Sequence, residues 1–247
     1  MRSNLFRQLV WMAFYTFWAS EISILVINQR KLPFLLQMML RDIRKNYQHG
    51  ILNERDMAGN PLEQFNKWLR EAIDGDELEP TAMSLSTVDQ HGQPHSRMVL
   101  LKEVTNEGLV FYTNYAGHKA AQIAENNHVA LLFFWQSLER EVRIEGVARK
   151  VDEAISTQYF HSRPTESQLG AWASPQSQII TSHDVLDVQF RYYKEKFGDT
   201  IPKPPHWGGY IVSPVTFEFW QGRPNRLHDR LLYELIENKW IMSRLAP

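Results

Sequence analysis

Short apolar runs separated by turn signals fill the middle of the chain, and they constrain its fold more than any other feature. TAMSLSTVD (81–89) passes through QHGQ into SRMVLLKEV (96–104), and TNEG (105–108) passes into LVFYTN (109–114). HVALLFFW (128–135) is a buried-looking apolar run. EVRIEGVARKV (141–151) alternates, with Val142 and Ile144 on one side and Glu141, Arg143 and Glu145 on the other. Period-two alternation marks a strand with one buried and one wet face. Two further strand-like runs, GYIVSPVTFEFW (209–220) and LLYELIENKWIMSRL (231–245), close the chain. Many antiparallel strands at such short spacing argue for a barrel or sandwich, with helices filling the gaps.

The helical candidates are few. FNKWLREAI (65–73) puts Phe65, Trp68, Leu69 and Ile73 on one face, and HKAAQIAEN (118–126) follows a glycine. DEAISTQYFHS (152–162) opens at Asp152, an N-cap residue type. SHDVLDVQFRYYKEKFG (182–198) carries a stripe of Leu186, Phe190, Tyr193 and Phe197 and stops at Gly198. Residues 41–247 read as one domain with enough apolar material for a core, since 43% of residues are hydrophobic. A formal net charge of -1 leaves no global field for nucleic acid or an anionic membrane, so any anion must be met by local basic clusters. The chain has no cysteine, which excludes disulfides, thiolate metal sites and cysteine nucleophiles and fits a reducing cytoplasm. No metal-ligand spacing appears.

Residues 1–40 stand apart. LVWMAFYTFWASEISILVI (9–27) carries one charge, Glu21, and is flanked by Arg2, Arg7, Arg30 and Lys31. Its length is near the roughly 20 apolar residues that span a bilayer. Three readings compete: a membrane anchor, an uncleaved signal-like segment, or upstream sequence ahead of a start at Met38 or Met39. The expected location is the cytoplasm, with tethering through residues 9–27 as the alternative.

Five clusters carry candidate chemistry. Arg97 and Lys102 bracket RMVLLK; alone this is an ordinary strand with solvated ends, and five-residue spacing turns the two cations to opposite faces unless the strand bends or ends between them. FYTN (111–114) runs into GHK (117–119), where a helix N-terminus and Lys119 could meet a phosphate. In YFHSRPTES (159–167), Tyr159, Arg163 and Ser167 offer one charge and two hydroxyls, or simply a capped helix end at Pro164. QSQ (176–178) is a polar loop. WQGRPNRLHDR (220–230) packs three arginines, a histidine and an aspartate beside Trp220, with Arg226 and His228 pointing the same way if extended.

In this order, RMVLLK, FYTN, YFHSRP, GAWAS with QS, EFWQG and RLHDR make residues 41–247 similar to the pyridoxamine 5'-phosphate oxidase family. The resemblance implies a mainly β, Greek-key-like FMN-binding split β-barrel with flanking helices, working as a homodimer with flavin at the interface. It implies oxidation of pyridoxamine or pyridoxine 5'-phosphate to pyridoxal 5'-phosphate, with oxygen as acceptor, hydrogen peroxide as product, and ammonia from the amine. The flavin-holding residues it implies are Arg97, Met98, Val99, Leu100, Leu101, Lys102, Tyr112, Thr113, His118, Lys119, Glu141, Gln176, Ser177, Trp220 and Arg230. Lys102, Tyr159, Arg163 and Ser167 would take the substrate phosphate. Arg226, Leu227 and His228 would meet the substrate, with Arg226 and His228 catalytic over the pyridine ring. Arg44, Lys45, Asn46 and Tyr47 match an N-terminal lid. A passive flavin- or pyridoxal-phosphate-binding barrel is the alternative, and the Arg226–His228 pair speaks against it.

Two positions depart from the family pattern. His118 stands where the family usually has arginine, and Glu141 where it usually has glutamine. An ionised carboxylate accepts but cannot donate and repels a nearby phosphate. The expectation is a weaker hold on flavin than in a typical member.

Overall fold

The computed structural model describes residues 40–247. The chain divides into two units, residues 1–46 and 47–247. Of the first, residues 40–42 form a helical turn and 43–46 have no regular structure. The segment 9–27 lies outside the described residues. No helix among the described residues is long and apolar enough to cross a membrane.

In the second unit nine strands form one antiparallel sheet: β1 (Ala82–Val88), β2 (Pro94–Leu100), β3 (Glu103–Thr105), β4 (Gly108–Asn114), β5 (His128–Trp135), β6 (Arg140–Lys150), β7 (Trp207–Gln221), β8 (Asp229–Ile236) and β9 (Lys239–Leu245). Their order is β2-β1-β5-β6-β7-β4-β3, with β8 on β7 and β9 on β8. The long strand β7 explains the split. Its first half pairs with β4 and its second half with β8, while β6 runs along its other edge. A register shift opposite Glu145/Gly146 leaves Val215 of β7 unpaired, a bulge that bends β7 against β6.

Period two sorts the sheet into a dry and a wet side. The register rows Leu131–Ile144–Phe217–Tyr233 and Phe133–Val142–Phe219–Leu231 face the core and are buried. The intervening rows face outward: Leu132–Arg143–Glu218–Leu232 and Phe134–Glu141–Trp220–Arg230. Helix α1 (Pro61–Asp74) closes the dry side, with Phe65 5.0 Å from Phe133 and Trp68 5.2 Å from Phe219 between ring centroids. Asn60 caps α1 by accepting from the Leu62 N–H at 2.9 Å. A second, smaller core of Phe160, Leu169, Ile201 and Trp207 is wrapped by α3 (Glu153–Ser162), α4 (Thr165–Ala173) and α5 (Asp184–Phe197). Helix α2 (His118–Glu125) links β4 to β5.

The expected strand over 96–104 is two strands, because β2 ends at Leu100 and β3 starts at Glu103. The run 231–245 is a hairpin whose turn residues Glu237 and Asn238 both take positive φ, 48° and 62°. That left-handed pair matches the twist of a two-residue hairpin loop. Helix α4 has no counterpart in the sequence reading. Its nine residues include Gly170 and follow Pro164, so propensity and periodicity are both weak there.

Candidate functional site

A cavity of roughly 670 Å³ is lined by β2, the end of β4, Lys119 of α2, the end of α3, α4 and Trp207. Its charged lining residues are Arg97, Lys102, Lys119 and Arg163, with no carboxylate among them. Four cations in the lining, against one carboxylate at its margin, Glu103, which accepts from the Tyr112 hydroxyl at 3.2 Å, concentrate a positive field in one place of a chain of net charge -1. Because β2 ends before Lys102, the strand's alternation no longer separates Lys102 from Arg97, and both reach the cavity.

Two of these cations, Arg97 and Lys119, are held by hydrogen bonds from the fold. Arg97 donates to the Leu85 carbonyl at 3.0 Å, to Thr87 Oγ1 at 2.7 Å and to Gln122 Oε1 at 3.1 Å. Lys119 Nζ donates to Gln176 Oε1 at 2.6 Å and Thr113 Oγ1 at 3.0 Å, which leaves its third N–H for a ligand. Burial lowers the Lys119 pKa, and the charge of Arg97 lowers it further. Burial also lowers that of Arg97. An anion between the two relieves both penalties. His118 opens α2 with its side chain exposed, and its backbone N–H donates to Ser177 Oγ at 3.3 Å.

Arg163 is the C-cap of α3, and burial lowers its pKa. Its guanidinium lies 4.7 Å from the Trp207 ring centroid. Its Nη1 is buried and has no hydrogen-bond partner. A buried polar group left unpaired costs about 1–3 kcal/mol, more when charged. Tyr159, one turn earlier, stacks on Tyr112 at 3.9 Å and 15°. The chain breaks at Pro164 and restarts as α4, which puts Ser167 in the same lining.

The corner after β7 forms a second cluster. Trp220 and His228 lie 4.6 Å apart, and Tyr47 meets both edge-on, at 5.5 Å and 5.7 Å. Gly222 permits this: a Cβ there would stand 2.7 Å from Tyr47 Cγ. Asn225 and Arg226 both take positive φ, 59° and 63°. Such backbone costs on the order of 1–3 kcal/mol and persists where its surroundings over-determine it. Asp229 supplies that constraint, accepting from the Leu52 N–H at 3.1 Å, Arg223 Nη1 at 3.3 Å and Arg244 Nη1 at 2.8 Å. The Arg223 N–H donates to His228 Nδ1 at 3.1 Å, so the neutral ring carries its proton on Nε2.

Burial, then the charge of Arg226, lowers the His228 pKa, against a smaller upward pull from Asp229. Neutralising Arg226 removes a cationic neighbour and raises that pKa. In Arg226→Gln, the imidazole resonance measured by NMR titration is expected to move to higher pH. A downward move would mean that Arg226 does not act on the ring.

On the outward row, Arg230 grips Glu218 with both ends of its guanidinium, at 2.7 Å and 3.0 Å. Arg143 approaches Glu218 at 3.7 Å and is hydrogen-bonded to Glu141. Glu141 is therefore charge-paired along its own strand.

The structure brings Arg97, Met98, Val99, Leu100, Lys102, Tyr112, Thr113, Lys119, Tyr159, Arg163, Ser167 and Gln176 into the cavity lining. Ser177 adjoins it through His118. Leu101 turns into the core, its N–H bonded to the Thr81 carbonyl at 2.9 Å. Glu141, Trp220, Arg226, Leu227, His228 and Arg230 do not line the cavity. Arg44, Lys45 and Asn46 belong to the separate N-terminal unit. Asn114, Arg223 and Asp229 fall within motifs named from the sequence but had no role of their own, and Trp207 and Arg143 were not expected as site residues. For Trp207 the local signal was the pair Gly208–Gly209 after it, which marks a close approach of backbone and ring.

A family model described as pyridoxamine 5'-phosphate oxidase matches residues 69–197. A second, described as pyridoxine 5'-phosphate oxidase C-terminal dimerisation region, matches residues 207–247. A pyridoxine/pyridoxamine 5'-phosphate oxidase of Bordetella avium is 51% identical over 211 residues, 85% of this chain and 100% of the relative. One from a Cyanothece species is 48% identical over 213 residues, 86% of this chain and 100% of the relative. The fold is similar to that of PhzG from Burkholderia lata 383, solved with tetrahydrophenazine-1-carboxylic acid, at a TM-score of 0.76 and 26% identity, covering 80% of this chain and 98% of that one.

Proposed function

The chain belongs to the pyridoxamine 5'-phosphate oxidase family, and from that premise we propose that it oxidises pyridoxamine or pyridoxine 5'-phosphate to pyridoxal 5'-phosphate, with FMN as cofactor and oxygen as acceptor. One observation carries the reading: a cavity with four cations and no carboxylate, in which Arg163 Nη1 is buried without a partner. Such a lining fits ligands that carry phosphate. Bound FMN would supply the redox chemistry, as acceptor for a hydride from the 4' carbon with oxygen as the final oxidant.

The protein's own residues bind and orient. Arg97 and Lys119 would face the flavin phosphate, with Gln176 and Thr113 fixing the Lys119 ammonium. Lys102, Tyr159, Arg163 and Ser167 would hold the substrate phosphate, all four being cavity-lining. Arg226 and the Nε2–H of His228 would lie over the pyridine ring. They stand on a corner that shares no lining residue with the cavity. A homodimer resolves this, the corner of one subunit completing the cavity of its partner. Support comes from the match of residues 207–247 to a dimerisation region. Exposed Met98, Leu132 and Phe134 lie on the same outward face as Glu141, Trp220 and Arg230.

The pairing of Glu141 with Arg143 answers the repulsion expected from a carboxylate at that position. Arg143→Met would remove the hydrogen-bonded partner of Glu141 and leave only the charge of Arg230 acting on it. Partly exposed ion pairs are worth about 0.2–1 kcal/mol, so the flavin dissociation constant is expected to rise by up to about fivefold in a fluorescence titration of apoprotein. An unchanged constant would show that Glu141 lies away from the flavin.

Anaerobic mixing tests the activity itself. Pyridoxamine 5'-phosphate is expected to bleach the yellow protein, and admitted air to restore the colour with one peroxide per pyridoxal phosphate formed. Colour that survives both phosphorylated substrates would leave a passive flavin binder.

A further inference from the structure

We propose that Trp207 is a positioning residue for phosphate recognition, its indole face holding the Arg163 guanidinium flat and ready before any ligand arrives. This rests on the reading of Arg163 as a ligand of the substrate phosphate. The Arg163 guanidinium carbon stands 4.7 Å from the Trp207 centroid. A stacked guanidinium turns its in-plane N–H edges away from the ring and leaves them free to donate. That accounts for an arginine which is buried at Nη1 and still unpartnered.

Trp207 is itself fixed on several sides. It is 6% exposed. Its N–H donates to the Pro204 carbonyl at 3.1 Å, and its own carbonyl accepts from Lys203 Nζ at 3.0 Å. Lys203, whose side chain is only 4% exposed, also pairs with Glu153 at 2.8 Å. Glu153 opens α3 and Arg163 caps its end, so both ends of that helix are tied to the tryptophan. The ring lies nearly parallel to Tyr112, at 5.5 Å and 9°, and to Tyr159, at 6.2 Å and 7°. Gly209 makes room for this stack, since a Cβ there would meet Tyr112 Cε1 at 2.8 Å. Two of the phosphate-facing groups, Arg163 and the Tyr159 ring, thus take their orientation from one indole. Ordering them in advance removes that cost from binding.

The test compares Trp207→Leu, Trp207→Phe and Arg163→Lys holoenzymes with wild type. It measures kcat and KM for pyridoxamine 5'-phosphate and the competitive Ki of inorganic phosphate. Loss of a desolvated cation–π contact corresponds to roughly tenfold in affinity. Trp207→Leu is expected to raise KM and the phosphate Ki by about that factor with kcat within about twofold, and Trp207→Phe to recover most of the loss. In an Arg163→Met background, Trp207→Leu is expected to raise Ki by clearly less than tenfold, the part carried through Tyr159. A fall in kcat at constant KM and Ki, or full additivity with Arg163→Met, would make Trp207 a structural residue only and overturn the proposal. If Trp207→Leu does not fold, Arg163→Lys decides: it keeps the charge but has no planar face, so wild-type Ki overturns the proposal and a roughly tenfold rise supports it. Arg163→Met with unchanged KM and Ki would instead remove the phosphate reading itself, whatever Trp207 does.

Discussion

Replacing Arg163 by methionine is expected to raise KM for pyridoxamine 5'-phosphate by one to two orders of magnitude while leaving the ligand-free protein as stable as before, or more so. The two effects share one cause. Arg163 Nη1 is buried with no acceptor, which costs the free protein about 1–3 kcal/mol. Methionine removes that cost and still covers the Trp207 face with a flexible apolar chain. Against this stands the lost cation–π contact, worth about 0.5–2 kcal/mol, so the balance lies near zero or in favour of the variant. Binding has no such compensation. A charge-assisted hydrogen bond to phosphate contributes about 1.5–3 kcal/mol, which is roughly 10- to 150-fold in affinity. Steady-state kinetics and a thermal melt of the same preparations check both halves. A melting point several degrees lower with KM unmoved would make Arg163 a structural residue.

Much of this cavity was legible in the sequence because its residues cluster in short local motifs. Tyr159, Arg163 and Ser167 fall within nine residues, and the turn from β4 into α2 brings Thr113 and Lys119 together by local geometry alone. The alternation of 141–151 placed Glu141 and Arg143 on the wet side, where the register rows keep them. What stayed hidden depends on long-range packing. Trp207 meets Arg163 across 44 positions, and Asp229 accepts from Leu52 across 177. No local pattern reports such contacts. The worry over Arg97 and Lys102 arose from treating 96–104 as one strand. The chain leaves the ladder at Leu100, and period two does not apply beyond that point. Alternation placed Glu141 and Arg143 on one face, but it does not report that their side chains turn toward each other and pair.

The placement of the corner leads to the second large effect. Arg163 packs on Trp207, the first residue of β7, whereas Arg226 follows Gln221, its last. At about 3.3 Å per residue a strand of that length spans up to roughly 45 Å. A site that needs Arg163 and Arg226 together is therefore expected to take them from different subunits of a two-fold dimer. Arg163→Met and Arg226→Ala homodimers would each be broken at both sites. A heterodimer carrying one variant per chain, isolated by two different affinity tags, would have one site with both changes and one with neither. At subsaturating substrate its activity is expected to return to about half that of wild type, from levels at least tenfold lower in either homodimer. If each site were built from a single chain, every site of the heterodimer would carry one substitution, and activity would stay at the level of the parents. Because both variants alter side chains that are not in the apolar core of either cluster, the recovery reads the geometry of the site and not a rescue of folding.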